Sequence, residues 1–292
     1  MRIGAFELSE PLPELRDPHA VAMLRPWIDV GSVGTLTVLG LESRFGAREL
    51  GRLARPGNFF DFTRYRPTAY LKAGHREMSI PNTTITYARL ETGRDFLFLR
   101  LLEPHMLGEI YVDSVLRVLA TLGVKRYCLL GSMYDMVPHT KKLLVSAGAV
   151  GEKAQQDLEK TGSLPTDYQG PTTISFLISQ RAPQLDIESM WFIVHLPQYL
   201  QLDEDYTGKI RLMEVLETLY GLAQDEADTQ RAEQQLNNIN SAVDDSPELK
   251  AIMPQIEAHY EARLASRRED VAPLPPNMER FLRDLGNRFG QG

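Results

Sequence analysis

Three corners of this chain set an ionisable or polar side chain beside a proline at the end of an apolar run. They are Leu102-Glu103-Pro104-His105, Val137-Pro138-His139-Thr140 and Tyr168-Gln169-Gly170-Pro171-Thr172. Proline fixes φ and biases the preceding residue toward extended geometry, so each corner reads as a rigid turn. A carboxyl such as Glu103 and an imidazole such as His139 can exchange protons near neutrality once burial or a neighbour tunes them. Asp135 stands four residues before His139 and could orient it, although Pro138 interrupts any helix that would put both on one face. Trp27, Asp29 and Gly31 mark a further turn, where Gly31-Ser32-Val33-Gly34 would open a helix and offer free N–H groups to an anion. If these corners meet at one edge of a sheet, Trp27, Asp29, Gly31, Glu103, His139, Thr140, Tyr168 and Gly170 line a candidate pocket. Each also has a plain structural role open to it. Gly31 can allow close packing, Asp29 can cap a helix, Glu103 can be a paired acid and His139 a hydrogen-bonded core residue. Tyr168 and Gly170 can form a turn before a helix, or a lid over the pocket. No residue is assigned as catalytic.

Several reaction types find no signature. The sequence has no G-x-x-x-x-G-K-[ST] phosphate loop, no G-x-G-x-x-G and no G-x-S-x-G elbow. No histidine pair has metal-ligand spacing, and Cys128 is the single cysteine, so neither a metal site nor a cofactor is expected. Cys128 lies in the apolar run Tyr127-Cys128-Leu129-Leu130 and reads as a small buried hydrophobe. The 292 residues are 43% hydrophobic and 24% charged, enough apolar material for a sizeable core. The net charge of −7 argues against nucleic acid, which needs a basic face; Arg64 with Arg66, Lys141 with Lys142 and Arg267 with Arg268 are short surface pairs. No apolar run is long enough to span a bilayer, and Met1 to Glu10 lacks a signal core. A cytoplasmic protein without membrane contact is expected.

The elements that would position the corners follow from periodicity. Ala20–Leu24 reads as the first buried strand and Val33–Phe45 as an apolar helix. Thr68–Lys72 and Thr83–Leu90 read as strands, with a hairpin around Pro81-Asn82. The fully apolar Phe96–Leu99 is a strand buried on both faces. A helix from about Leu107 carries Ile110, Tyr111, Ser114, Val115, Val118, Leu119 and Leu122 as its stripe and stops at Gly123, before a strand at Tyr127–Leu130. This is a β-α-β unit. Met190–Val194 is a later strand, and after Gly208 the chain is helical, with one stripe at Ile210–Tyr220 and another at Leu249–Leu264 that needs cover. Ala223–Asp245 is either an exposed helix or a connector, and Ala272–Pro276 a stiff spacer before a last amphipathic piece. The expected division is an α/β domain over residues 1–222 and a helical extension over 223–292.

The chain resembles the proteasome assembly chaperone 2 family, which has bacterial members of unassigned role. The resemblance runs from about Leu12 to Leu222. It rests on Leu12-Pro13-Glu14-Leu15, Pro26-Trp27-Ile28-Asp29-Val30-Gly31, Phe59-Phe60-Asp61-Phe62 with Arg66-Pro67, Arg94-Asp95 with Glu103-Pro104, Gly123-Val124, Leu130-Gly131, Val137-Pro138-His139-Thr140, Tyr168–Thr172 and Leu196-Pro197-Gln198-Tyr199. It implies a three-layer α/β/α fold like that of nucleoside phosphorylases and hydrolases, assembled as a homo-oligomer. It implies a scaffold or assembly-chaperone role through protein–protein contacts and self-association, with a protein partner of unknown identity. The alternative is a nucleoside-, phosphate- or amine-type enzyme or sensor using the crevice. The chain departs from the family at Arg25-Pro26-Trp27, where relatives have Gly before Trp, and it ends Asn287–Gly292 without the hydrophobic-Tyr-X tail by which some members engage the proteasome.

Overall fold

The computed structural model describes residues 1–166 and 168–266. In chain order the elements begin with β1 (Arg2–Ile3), β2 (Phe6–Leu8), β3 (His19–Arg25), α1 (Val33–Arg44), β4 (Arg48–Leu53), β5 (Thr68–Lys72), β6 (His75–Ser79) and β7 (Thr84–Ala88). They continue with β8 (Phe96–Leu102), α2 (Gly108–Thr121), β9 (Arg126–Asp135), β10 (Val145–Val150), α3 (Glu152–Lys160), β11 (Leu164–Pro165) and α4 (Ile174–Arg181). The described part closes with β12 (Glu188–Pro197), α5 (Tyr206–Tyr220), α6 (Glu226–Asp244) and α7 (Pro247–Ser266). Ten strands form one mixed sheet in the order β1-β2-β4-β7-β8-β3-β9-β12-β10-β11, and β5 and β6 form a sheet of their own. The expected α/β fold with helices at its C-terminal side is the one observed. The spacer and last amphipathic piece lie outside the described residues.

Backbone contacts gather into two compact units. The first comprises Met1–Trp27, Val38–Leu129 and Thr172–Ser189. Its centre is the parallel pair β3 and β8, in register from His19 against Phe96 to Arg25 against Leu102. Six consecutive residues of β3, His19 to Leu24, are buried, as a strand covered on both faces requires. Phe45 stacks on Phe96 at 6.2 Å between ring centroids. Tyr111 of α2 meets Phe59 edge-on, and its hydroxyl shares a 2.7 Å hydrogen bond with Thr83. The α2 stripe holds as expected except at Ile110, which is 52% exposed; Val112 and Leu116 are buried in its place. Thr121 is the last residue of α2, and Gly123 lies beyond it at φ 68°, a conformation glycine adopts without strain.

Two expectations here are corrected. Ala20–Leu24 lies in the third strand, because the dipeptide and tripeptide strands β1 and β2 are too short to show periodicity. The hairpin turns at Ala73-Gly74, where both residues have positive φ, and not at Pro81-Asn82. β5 pairs with β6, whose sequence His-Arg-Glu-Met-Ser carries no strand-like apolar pattern, while β7 joins the large sheet between β4 and β8.

The second unit comprises Ile28–Thr37, Leu130–Pro171 and the described residues from Met190 onward. α5 is capped by Asp205, whose Oδ1 accepts the Gly208 N–H at 2.8 Å, and it ends at Gly221 with φ 68°. Ala223–Asp245, left open between helix and connector, contains α6. Its glutamines and acids have work to do: Gln235 accepts the Tyr206 N–H and donates to the Glu204 carbonyl, and Asp228 pairs with the buried Lys209 at 2.5 Å. The Leu249–Leu264 stripe of α7 finds its cover within the chain. Leu249 and Ile256 cluster with Met136, Tyr199, Ile239 and Val243. Leu264, at the far end, stays 39% exposed.

Candidate functional site

In the first unit, Glu103 follows β8 and is half-buried. Its Oε1 accepts the Ile174 N–H at 3.0 Å, so it supplies the N-terminus of α4 with an acceptor that the local cap residue, Thr173, does not provide. Oε2 is buried without a hydrogen-bond partner. Burial pushes the Glu103 carboxyl above the ordinary glutamate range, and the Ile174 N–H offsets this only in part. The fold therefore holds the protonated form more readily than the unfolded chain does. Glu103 opposes stability above its folded pKa and ceases to do so below the unfolded value. We expect Glu103→Gln, which keeps the acceptor for Ile174, to raise the thermal midpoint at neutral pH. The gain should disappear in acid, below the ordinary glutamate pKa of about 4.3. A lower midpoint at neutral pH that recovers in acid would mean that the negative charge at the helix end outweighs desolvation. Trp27, also of this unit, is 65% exposed.

In the second unit, Asp29 and Gly31 lie at the start of α1. Asp29 accepts the Thr35 N–H at 3.0 Å and the Thr35 hydroxyl at 2.6 Å, the capping role open to it in the sequence. Gly31 has φ 59°, and its carbonyl accepts the Asp205 N–H at 2.8 Å. A Cβ at Gly31 would stand 2.8 Å from the Asp205 Cβ, so the glycine permits close packing. Tyr168 is 58% exposed, and its hydroxyl donates to the Pro171 carbonyl at 3.0 Å. A Cβ at Gly170 would stand 2.5 Å from that hydroxyl, so the pair closes a local turn.

His139 and Thr140 are the candidates that the structure brings to one cavity. It has a volume of about 480 Å³ and is lined also by Asn240, Asp244, Lys250 and Glu257. Thr140 donates to Glu257 at 2.5 Å. The Tyr199 hydroxyl accepts the His139 backbone N–H at 2.8 Å and lies 2.6 Å from His139 Nδ1. The imidazole is also hydrogen-bonded to the side chain of Asn240. Burial holds the His139 imidazole below its ordinary pKa, with Asn240 and Glu257 opposing this. An imidazole held by Tyr199 and Asn240 is a structural joint. His139 also borders a second cavity of about 160 Å³, with Lys142, Leu143, Asp205, Arg211 and Ile239.

Asp135, which the sequence offered as a partner for His139, is bonded to His195, a residue given no role in the sequence. His195 on β12 is fully buried. Its Nδ1 lies 2.6 Å from Asp135 Oδ2 and its Nε2 2.9 Å from Ser146 Oγ, while Arg263 of α7 reaches the same Asp135 oxygen at 2.5 Å. The order serine, histidine, aspartate is that of an acyl-transfer triad. Ser146, however, is 3% exposed near the start of β10, where no substrate carbonyl can approach it. The cluster is a buried polar network tying three strands and a helix together. The signal that could have found it was a histidine in the apolar run of β12; its partners lie 60 and 49 residues away. Among the described residues, no group of three or more His, Cys, Asp or Glu is arranged to hold a metal ion, and no helix is long and apolar enough to cross a membrane.

With this geometry in view, comparison with known proteins decides the family. The sequence profile of the PAC2 family matches residues 23–243. The chain belongs to the PAC2 family. Solved structures share its fold. A PAC2 family protein from Streptomyces avermitilis superposes with a TM-score of 0.74 at 22% identity, over 82% of this chain and 99% of that one. A Mycobacterium tuberculosis proteasome-assembly chaperone homologue gives 0.71 at 22% identity, over 80% and 98%. An archaeal proteasome activator from Pyrococcus furiosus gives 0.64 at 13% identity, over 83% and 99%. No curated protein matches this PAC2 chain.

Proposed function

We propose that this PAC2 chain is a non-enzymatic, assembly-chaperone-like scaffold that works through protein–protein contacts and self-association in the cytoplasm. The family match over residues 23–243 carries the reading. Its likeness in fold to a proteasome-assembly chaperone homologue and to a proteasome activator supports a protein as the partner. The local chemistry agrees. Glu103 serves the end of α4, His139 is fixed by Tyr199, and the buried His195 joins Asp135 to Ser146. These groups hold the fold in place, and a scaffold needs nothing more of them.

The test uses the whole chain. Light scattering on the purified protein should give a mass that is a multiple of one chain. Mixing it with separately purified proteasome subunits from the same source should give a co-migrating species. A single-chain mass at every concentration would end the self-association half of the reading. Separate migration of the two proteins would end the proteasome branch of the partner assignment.

A further inference from the structure

The turn between β1 and β2 is pinned from two sides. The Ala5 N–H donates to Ser114 Oγ of α2 at 3.0 Å, and the Ala5 carbonyl accepts the Ala54 N–H at 3.0 Å. Gly4 has φ 57°, and a Cβ there would stand 2.7 Å from Ser114 Oγ, so the turn lies directly on the helix. This docking sets three arginines, far apart in sequence, around one cavity of about 370 Å³. Arg2 comes from β1, Arg55 from just after β4, and Arg117 from one turn beyond Ser114 on α2. All belong to the first unit.

Among the described residues, Arg2, Arg55 and Arg117 form no ion pair. Arg52, three residues before Arg55, lies 3.8 Å from Glu49. Asp113 is the one carboxylate among the described residues lining the cavity, and Arg181 already holds it. The chain has 39 acids against 32 lysines and arginines, so acids to pair these three were plentiful. Like charges gathered without an anion repel one another, and a bound anion would remove that cost. The cavity also has an apolar part. The buried Phe59 lines it, as do Leu107 and Ile110, which are 50% and 52% exposed. We propose that this cavity binds a small organic di- or triphosphate. Its phosphates engage the three guanidiniums, and its organic part lies on Leu107 and Ile110. The planar fork of arginine matches phosphate oxygens bidentately. A terminal phosphate presents three acceptor oxygens and close to two charges, where a carboxylate presents two oxygens and one charge, so phosphate suits three guanidiniums better. The volume falls within the range of about 300–1,000 Å³ usual for ligand pockets. Such a site goes beyond a scaffold's contacts and does not depend on self-association.

Titration calorimetry on the full-length protein, with tripolyphosphate and ATP as probes and no divalent metal, tests this. Both should bind, ATP more tightly because its nucleoside covers Leu107 and Ile110. Arg2→Gln, Arg55→Gln and Arg117→Gln should each weaken tripolyphosphate binding by roughly tenfold or more, as loss of a hydrogen bond to a charged group does. Arg64→Gln, at an exposed arginine outside the cavity, should leave it unchanged. Ile110→Ser should remove the advantage of ATP. All four arginines are exposed, so unchanged thermal midpoints without probe should show that the variants fold. Failure of both probes to bind at millimolar concentration would overturn the site. Binding that the three cavity variants retain, or that Arg64→Gln loses equally, would mean diffuse charge attraction and overturn it too. Equal affinity for the two probes would overturn the organic part, and citrate binding as tightly as tripolyphosphate would overturn the choice of phosphate. A hexaglutamate peptide that binds more tightly than either probe would give the cavity to an acidic protein partner and overturn the proposal.

Discussion

Asp135→Ala is expected to destabilise the fold by about 3 kcal/mol, within the range for removing one partner of a buried ion pair. The carboxylate holds three groups at once: the Met136 N–H on Oδ1, and His195 Nδ1 and Arg263 Nη1 on Oδ2. Arg263 is 2% exposed and His195 fully buried, so removing the acid leaves a guanidinium and an imidazole in a dry place without their anion. The effect should appear as a lower midpoint in equilibrium urea unfolding. The pH dependence has a definite sign. Burial by itself would raise the Asp135 carboxyl. The hydrogen bond and charge of His195, then the Arg263 guanidinium, reverse this and hold it well below the usual carboxylate range. Such a group stabilises the fold above its unfolded pKa of about 3.9, and the stabilisation is lost as pH falls toward the folded value. Wild type should thus lose more stability on acidification than Asp135→Ala does. A double variant with Arg263→Met should recover part of the loss, because the stranded cation goes with its partner. A single-variant effect near zero would remove this network from the account of what holds α7.

Ile256→Ala should cost about 3–4 kcal/mol, the range for truncating a fully buried aliphatic side chain when its surroundings relax only in part. Ile256 lies in the cluster formed by Met136, Tyr199, Ile239, Val243 and Leu249. The variant also shows how the C-terminal helices participate. If α6 and α7 unfold together with the strands β9 and β12, just beyond which Met136 and Tyr199 lie, the single transition shifts as a whole. An early separate transition, followed by one at the wild-type position, would mean that the helices are stable apart from the sheet and that the shared cluster contributes little.

These two sites also mark where the sequence was readable. Long elements with a single environment declared themselves. The β8 run Phe96–Leu99 is apolar throughout because it is covered on both faces, and α2 keeps one wet side at Glu109, Asp113 and Arg117. The β10 strand, Val-Ser-Ala-Gly-Ala-Val, escaped notice because small side chains carry little periodic signal. α6 was ambiguous because its buried positions, Ala232, Ile239 and Val243, are few among polar residues whose partners lie on α5 and the loop before it. Glu103 directly follows β8, and His139 and Tyr168 lie a few residues past β9 and β11, but the bonding of these corners was not legible. Glu103 meets Ile174, His139 meets Tyr199, and Asp135 meets His195 and Arg263, all at separations of 60 residues or more. Local spacing carries no information about such pairs.

The fully buried Cys128 has a practical consequence. As the single thiol in the sequence, sealed inside a strand, it should resist maleimide while the fold is intact. Its modification rate then reports how often the interior opens. A second cysteine placed at an exposed position, such as the tip of the hairpin, would react first, so a fluorophore could be attached there without first removing the native sulfur.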